Sequence, residues 1–138
     1  METIPDSHKD LLERPVVVSL ATKFPGGPVQ VQPVWCGFDG SCITINTAIG
    51  RTKDKNMRAN RDVTVLAVDP DNVFRWLEVR GKVAEITTKG ADTNIDDLSE
   101  QYLGTRPYPM HDPEVTRVIF RIEPTRVVAF PDSSSAAC

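Results

Sequence analysis

Six short runs rich in β-branched residues, parted by turns built on Gly, Pro and Asp, constrain this chain more than any other feature. They are VVVSLAT (16–22), VQVQPVWC (29–36), SCITINT (41–47), VTVLAVD (63–69), FRWLEVRGKVAEI (74–86) and TRVIFRIEPTRVVAF (116–130). Most are too short for helices and have the composition of strands. The last supplies one or two closing strands. Connections such as KFPGGP (23–28), GFDG (37–40) and PDN (70–72) are too short for the crossover that a parallel pair needs. Eleven prolines fit frequent corners rather than long helices.

Three helices interrupt the strands. The first is expected over 4–14, capped by Asp6 or Ser7, with Leu11 and Leu12 inward and Pro15 ending it. The second is expected over 52–60 with Thr52 as N-cap. The third is expected over 91–104, with Ile95, Leu98 and Tyr102 on one stripe and Gly104 just past its end. The order α-β-β-β-α-β-β-α-β predicts a mainly β protein: a closed, six-stranded antiparallel barrel with helices at its openings. Residues 1–130 form one domain on this reading, and the tail 131–138 lacks the apolar content to order itself.

Details within the strands sharpen the expectation. In 29–36, Val29, Val31, Pro33 and Trp35 alternate with Gln30, Gln32 and Val34. Pro33 cannot donate a ladder hydrogen bond, so that strand is interrupted or open on one side. GFDG should turn it into 41–47 as a hairpin. In 74–86, Leu77, Val79 and Val83 take one face, and Trp76, Glu78, Arg80 and Lys82 the other. Gly81 in mid-strand marks a bulge or sharp bend.

Several chemistries find no support in the sequence. The two histidines, His8 and His111, match no metal-ligand spacing and read as surface residues. No phosphate-loop glycine motif and no nucleophile signature is present. Cys36, Cys42 and Cys138 are an odd set with no framework spacing, which suits a reducing cytoplasm; Cys36 and Cys42 read as buried free thiols. No apolar run follows Met1, so neither a signal peptide nor a membrane span is expected.

Charge is informative. The formal net charge is −3, yet residues 51–61 hold Arg51, Lys53, Lys55, Arg58 and Arg61 against Asp54 alone, a net +4, leaving −7 for the rest. An acidic chain with one local cluster fits a small anionic ligand better than a nucleic-acid backbone. At about 100° per residue, Arg51, Lys55, Arg58 and Arg61 share one side of the helix, and Lys53, Asn56 and Asn60 another. Met57 and Ala59 alone are apolar, so the helix has almost no core stripe. A run of charge is ordinarily a solvated face. This one follows a strand directly, so backbone amides, Arg51 and Lys53 all gather where that strand ends and attract the same anion.

The set Thr47…Gly50-Arg51-Thr52-Lys53-x-x-Asn56 after a strand resembles the phosphate-binding segment of the pyridoxamine-phosphate-oxidase-like split β-barrels. SLATKFPGGPVQVQPVWCGFDG is similar to that family's opening strands. DPDNVFRWLEVRGKVAEI and YLGTRPYP resemble the subgroup that uses the deazaflavin coenzyme F420 in place of FMN. The resemblance spans about residues 5–130. It implies a homodimer with the cofactor in a groove between two barrels. Its phosphate would be held at Arg51 and Lys53, with Thr47, Gly50 and Asn56 beside them. Its ring would lie against Gln32, Pro33, Val34 and Trp35, and Phe74, Arg75 and Trp76 would line the groove from the second subunit. Lys55 or Arg58 would suit the carboxylates of the deazaflavin tail.

The implied activity is F420H2-dependent reduction of a small conjugated organic substrate, with Arg75 or water as the proton donor if one exists. Three alternatives stay open: FMN on the same barrel as an oxidase or flavin reductase, a non-catalytic binding module (a cofactor carrier, or a haem-binding split barrel, against which the lack of a well-placed His argues), and a nucleic-acid-binding domain using 51–61.

Overall fold

A computed structural model describes residues 1–132. The chain order is α1 (Asp10–Glu13), β1 (Val18–Lys23), β2 (Val29–Val34), β3 (Gly37–Phe38), β4 (Ile43–Ala48), α2 (Thr52–Ala59), β5 (Asp62–Val68), β6 (Trp76–Thr87), α3 (Ala91–Leu103) and β7 (Arg117–Phe130). The strands form one antiparallel sheet in the order β2-β1-β5-β6-β7-β4-β3. The expected tail lies, from Ser133 onward and with Cys138, outside the described residues.

Among the described residues the sheet has seven strands where six were expected. The seventh is Gly37–Phe38, within the GFDG turn, which pairs with Thr44 and Ile43. The closed barrel expected from the element order does not form, and the split barrel implied by the family resemblance does: β2 and β3 are the two edges of the described sheet and do not bond to each other. Two residues, Trp35 and Cys36, join those edges in the chain, which forces the sheet to curl. The expected hairpin between 29–36 and 41–47 is not formed. β2 pairs with β1 across the Pro-Gly-Gly turn, Lys23 opposite Val29, while β4 pairs with β7, Ile43 opposite Ile122. Burial explains the choice. Ile43 and Ile45 join Phe120 and Ile122 in the core, whereas Val29 and Val31 point outward. Pro33 sits on the edge strand, where a missing donor costs no ladder bond.

Leu77, Val79 and Val83 of β6 are buried as expected, with Leu20, Val65 and Phe120 around them. Gly81 sits at a register shift between Arg80 and Gly81. A Cβ there would come within 2.5 Å of Ile122 Cγ2 and 2.9 Å of the Glu123 carbonyl oxygen, so only glycine lets β6 and β7 approach.

The first helix is shorter than 4–14. Asp6 to Lys9 make turns, Lys9 is the N-cap, and no side chain caps it. Asp6 instead pairs with Lys9 at 2.8 Å, and the Ser7 hydroxyl meets His8 Nδ1 at 2.8 Å. Leu11 and Leu12 are buried as predicted. His8 is not a surface residue. It is 2% exposed, with Nε2 at 3.0 Å from the Phe130 carbonyl oxygen. Gly104 ends α3 in the left-handed conformation, its N–H donating to Glu100 O.

A cationic cavity at the β4–α2 junction

The junction is shaped by one glycine and one buried carboxylate. Gly50 turns the chain at φ +95° after Ala48. Its N–H donates to Asp54 Oδ2 at 2.9 Å, and Arg58 Nε donates to Asp54 Oδ1 at 2.7 Å. Asp54 is 2% exposed. The one acid of the basic run is therefore spent on the loop backbone and on Arg58. Arg61 donates to the Val83 carbonyl at 3.1 Å. α2 does have a core-facing side, and it is mostly polar: Asp54 and Asn56 are buried beside Met57. Thr52 is not the N-cap; Arg51 is, in extended conformation and without a side-chain cap bond. The first-turn amides thus have no side-chain acceptor.

A cavity of about 360 Å³ opens at this junction. Pro33, Val34, Trp35, Thr47, Arg51 and Lys53 line it, so half of the twelve expected site residues converge. Trp35 stacks on Tyr102, with centroids 5.2 Å apart. The Tyr102 hydroxyl donates to the Val16 carbonyl at 2.9 Å and accepts from the Cys36 N–H at 3.2 Å, fixing the Trp35–Cys36 link. Burial pushes the Cys36 thiol up to about 11, in keeping with an inert thiol.

Three residues that sequence reasoning missed complete the polar side: Asn46, Tyr108 and Arg117. Val17, Ile95 and Leu98 add apolar wall. Arg117 opens β7, pairs opposite Ala48, and thereby reaches the β4–α2 junction. No local signal marks it, because its place depends on β4 pairing with β7. Tyr108 lies in the YLGTRPYP segment but was not singled out.

The electrostatics are those of an unmet positive charge. Burial pushes the Lys53 ammonium below its ordinary pKa, and Arg51 and Arg117 push it the same way. Burial also lowers Arg117, partly offset by Tyr108 and by Asp92, while Arg51 adds to the lowering. No salt bridge joins Arg51, Lys53 or Arg117 to a carboxylate of residues 1–131. Like charges gathered and partly desolvated are costly unless an anion joins them.

The remaining expected residues lie elsewhere. Gln32 and Gly50 border the cavity in sequence without lining it. Asn56 is turned inward, its amide donating to Thr22 Oγ1 at 3.1 Å. Phe74 is 74% exposed. Arg75 is held by Asp10 Oδ1 at 2.5 Å, Asp69 Oδ2 at 3.0 Å and the Ser7 carbonyl at 2.6 Å. The Asp10 contact holds its guanidinium even more firmly charged than usual, which corrects its candidacy as a proton donor. Trp76 stacks on Phe130 and lines a separate outer groove of about 520 Å³ with Val31, Leu66 and Val68, and no cation is among the described residues that line it.

Among the described residues no cluster of His, Cys, Asp and Glu could hold a metal ion, and no helix is long and apolar enough to cross a membrane. No curated protein matches the chain. Among solved structures, a protein named F420 reductase is 35% identical with a TM-score of 0.82, over 91% of this chain and 98% of that one. Protein Rv2991 of Mycobacterium tuberculosis is 23% identical with a TM-score of 0.68, over 97% of this chain and 93% of that one. A FAD-binding protein of Mesorhizobium loti is 21% identical with a TM-score of 0.62, over 91% and 94%. The latter two show a shared fold. Residues 4–130 match the profile described as pyridoxamine 5'-phosphate oxidase, and the chain belongs to that family of split β-barrels.

Proposed function

We propose that this protein is an F420-dependent reductase. The observation that carries the reading is the convergence of Arg51, Lys53 and Arg117, with no salt bridge to a carboxylate of residues 1–131, beside the Pro33–Val34–Trp35 wall. The similarity to a protein named F420 reductase supports the choice of deazaflavin. The residues present fit a phosphorylated ring. Arg51 and Lys53 would hold the phosphate together with the uncapped first-turn amides of α2. Val34, Trp35, Ile95 and Leu98 would exclude water from the ring and orient it. When bound, the deazaflavin supplies hydride transfer to a small conjugated organic substrate. The chain's part is to bind, orient and desolvate, which accounts for a site without an acid–base pair.

We also infer a homodimer. Val31 is 62% exposed and Leu66 38% exposed at the outer groove, a face that a second copy would cover. Phe74 and Trp76 would then stand at the subunit boundary.

FMN is the second reading, because three cations lining one cavity would also suit a dianionic phosphate monoester. Equilibrium titration with both cofactors separates the two. Tighter binding of F420 supports the proposal; tighter binding of FMN replaces it with an FMN-dependent oxidase or flavin reductase. Binding without turnover of any reducible acceptor identifies a carrier.

A further inference from the structure

Arg117 is fixed in a way that Arg51 and Lys53 are not. Its Nε donates to Asn46 Oδ1 at 2.9 Å. Asn46 Nδ2 in turn donates to the Ala91 carbonyl at 2.8 Å and to Asn94 Oδ1 at 2.9 Å. Both ends of that amide are committed, so its oxygen faces the guanidinium. The Arg117 Cζ also lies 5.5 Å from the Tyr108 ring centroid. Tyr108 is held to α3, its N–H donating to Asp96 Oδ1 at 2.8 Å, while His111 Nε2 meets the same oxygen at 2.7 Å. The Nε bond orients the group, and its two terminal nitrogens have no hydrogen-bond partner among residues 1–131. A guanidinium held by Nε presents a planar fork suited to two oxygens of one oxyanion.

We propose that Arg117 binds an oxyanion of the phosphorylated ligand through its terminal nitrogens, with Asn46 and Tyr108 as positioning residues. This deepens the cofactor reading and rests on it for the identity of the ligand, though not for the anion site itself. The arrangement makes the cavity selective for ligands that carry more than one negative oxygen within reach of Lys53 and Arg117 together. It also couples the anion site to α3, because Asn46 is anchored there.

The test is calorimetric titration of the wild type, Arg117→Gln, Arg117→Lys and Asn46→Ala with F420, FMN and inorganic pyrophosphate, each at low and high salt. Arg117→Gln should weaken the bound cofactor and pyrophosphate by roughly tenfold to a hundredfold, the range of a charged hydrogen bond. It should also flatten the salt dependence, since one ionic contact is gone. Arg117→Lys should keep the salt dependence yet recover part of the affinity only. Asn46→Ala should weaken binding by roughly threefold to tenfold with the salt dependence unaltered, as loss of orientation without loss of charge. Thermal unfolding establishes that each variant is folded; if Arg117→Gln is not, Arg117→Lys carries the test, and wild-type affinity in it contradicts the fork. Unchanged affinity in Arg117→Gln overturns the proposal. Weakened cofactor binding in Arg117→Gln with unaltered salt dependence also overturns it, in favour of a structural role. No binding of any of the three probes to the wild type overturns it as well. Pyrophosphate binding that depends on Arg117, without binding of either cofactor, retires the cofactor reading and leaves this one standing.

Discussion

Two cation clusters in this molecule follow opposite rules. Where the N-terminal segment meets the β5–β6 turn, Arg75 faces Asp10 and Asp69 at 2.5 and 3.0 Å, and Arg14 reaches the same two acids at 3.4 and 3.8 Å. Every charge there has an opposite, and the result is a clasp. In the cavity at the β4–α2 junction, Arg51, Lys53 and Arg117 line the wall; beyond burial, Arg51 and Arg117 push down the affinity of Lys53 for its proton, and Arg51 does the same to Arg117. The first cluster is electrostatically complete and belongs to folding. The second has no salt bridge to an acid of residues 1–131, and on the proposed reading it belongs to a ligand. Counting cations along the chain does not tell them apart; counting the acids that reach them does.

Substitutions should separate the two. Lys53→Ala is expected to have the largest effect, weakening cofactor binding by roughly 1.5–3 kcal/mol while leaving thermal stability unchanged or slightly raised. A stability loss with intact affinity, seen by titration alongside thermal unfolding, would place Lys53 in the complete class and erase the contrast. Arg75→Ala should do the reverse. About 1–2 kcal/mol of stability is lost, read from urea midpoints, and the affinity for F420 stays the same. Weakened binding in that variant would show that the clasp takes part in the site.

Smaller effects come from pH, with opposite signs. In the clasp, the Arg75 hydrogen bond holds the Asp10 carboxyl below its ordinary pKa. Near the β3–β4 turn, Asp39 stands at about 2: burial opposes its ionisation, but the Cys42 and Ser41 amides, the Ser41 hydroxyl and Arg121 outweigh it. Depressed carboxyl values stabilise the fold above the unfolded value of 3.8, and that stability drains as pH falls toward about 2. Denaturant midpoints between neutral and acid pH should decline over that window. Lys53 is depressed as well, but it is a cation. Anion binding therefore weakens as pH rises on the alkaline side, beginning below the ordinary lysine value of 10.5. Binding should take up protons in that range, which titration in buffers of different ionisation enthalpy detects. A pH-independent affinity there would remove Lys53 from the site.

Local signals in the sequence were sufficient for the strand runs, the stripe of α3, its Gly104 stop and the Gly81 irregularity. Each depends on residues within one or two turns or on the period-two alternation of a strand. Pairing is non-local, and there the reading failed: 41–47 chose β7 over its sequence neighbour because Ile43 and Ile45 complete the core around Phe120. The same pairing brings Arg117 to the cavity, so missing the pairing meant missing the residue. His8 eluded composition for a similar reason, since its partner, Phe130, is at the far end of the chain. Asn56 sits within the motif, but helix rotation turns it toward Thr22 rather than the cavity.

The central claim is that the incomplete cation cluster grips the phosphate of a redox ring. A crystal structure of the protein grown with F420 tests it most directly. The account predicts the phosphate within hydrogen-bonding distance of Arg51 and Lys53, with the ring against Pro33, Val34 and Trp35. A phosphate seated on the outward Lys55 and Arg58 face, or in the groove beside Trp76, would contradict it.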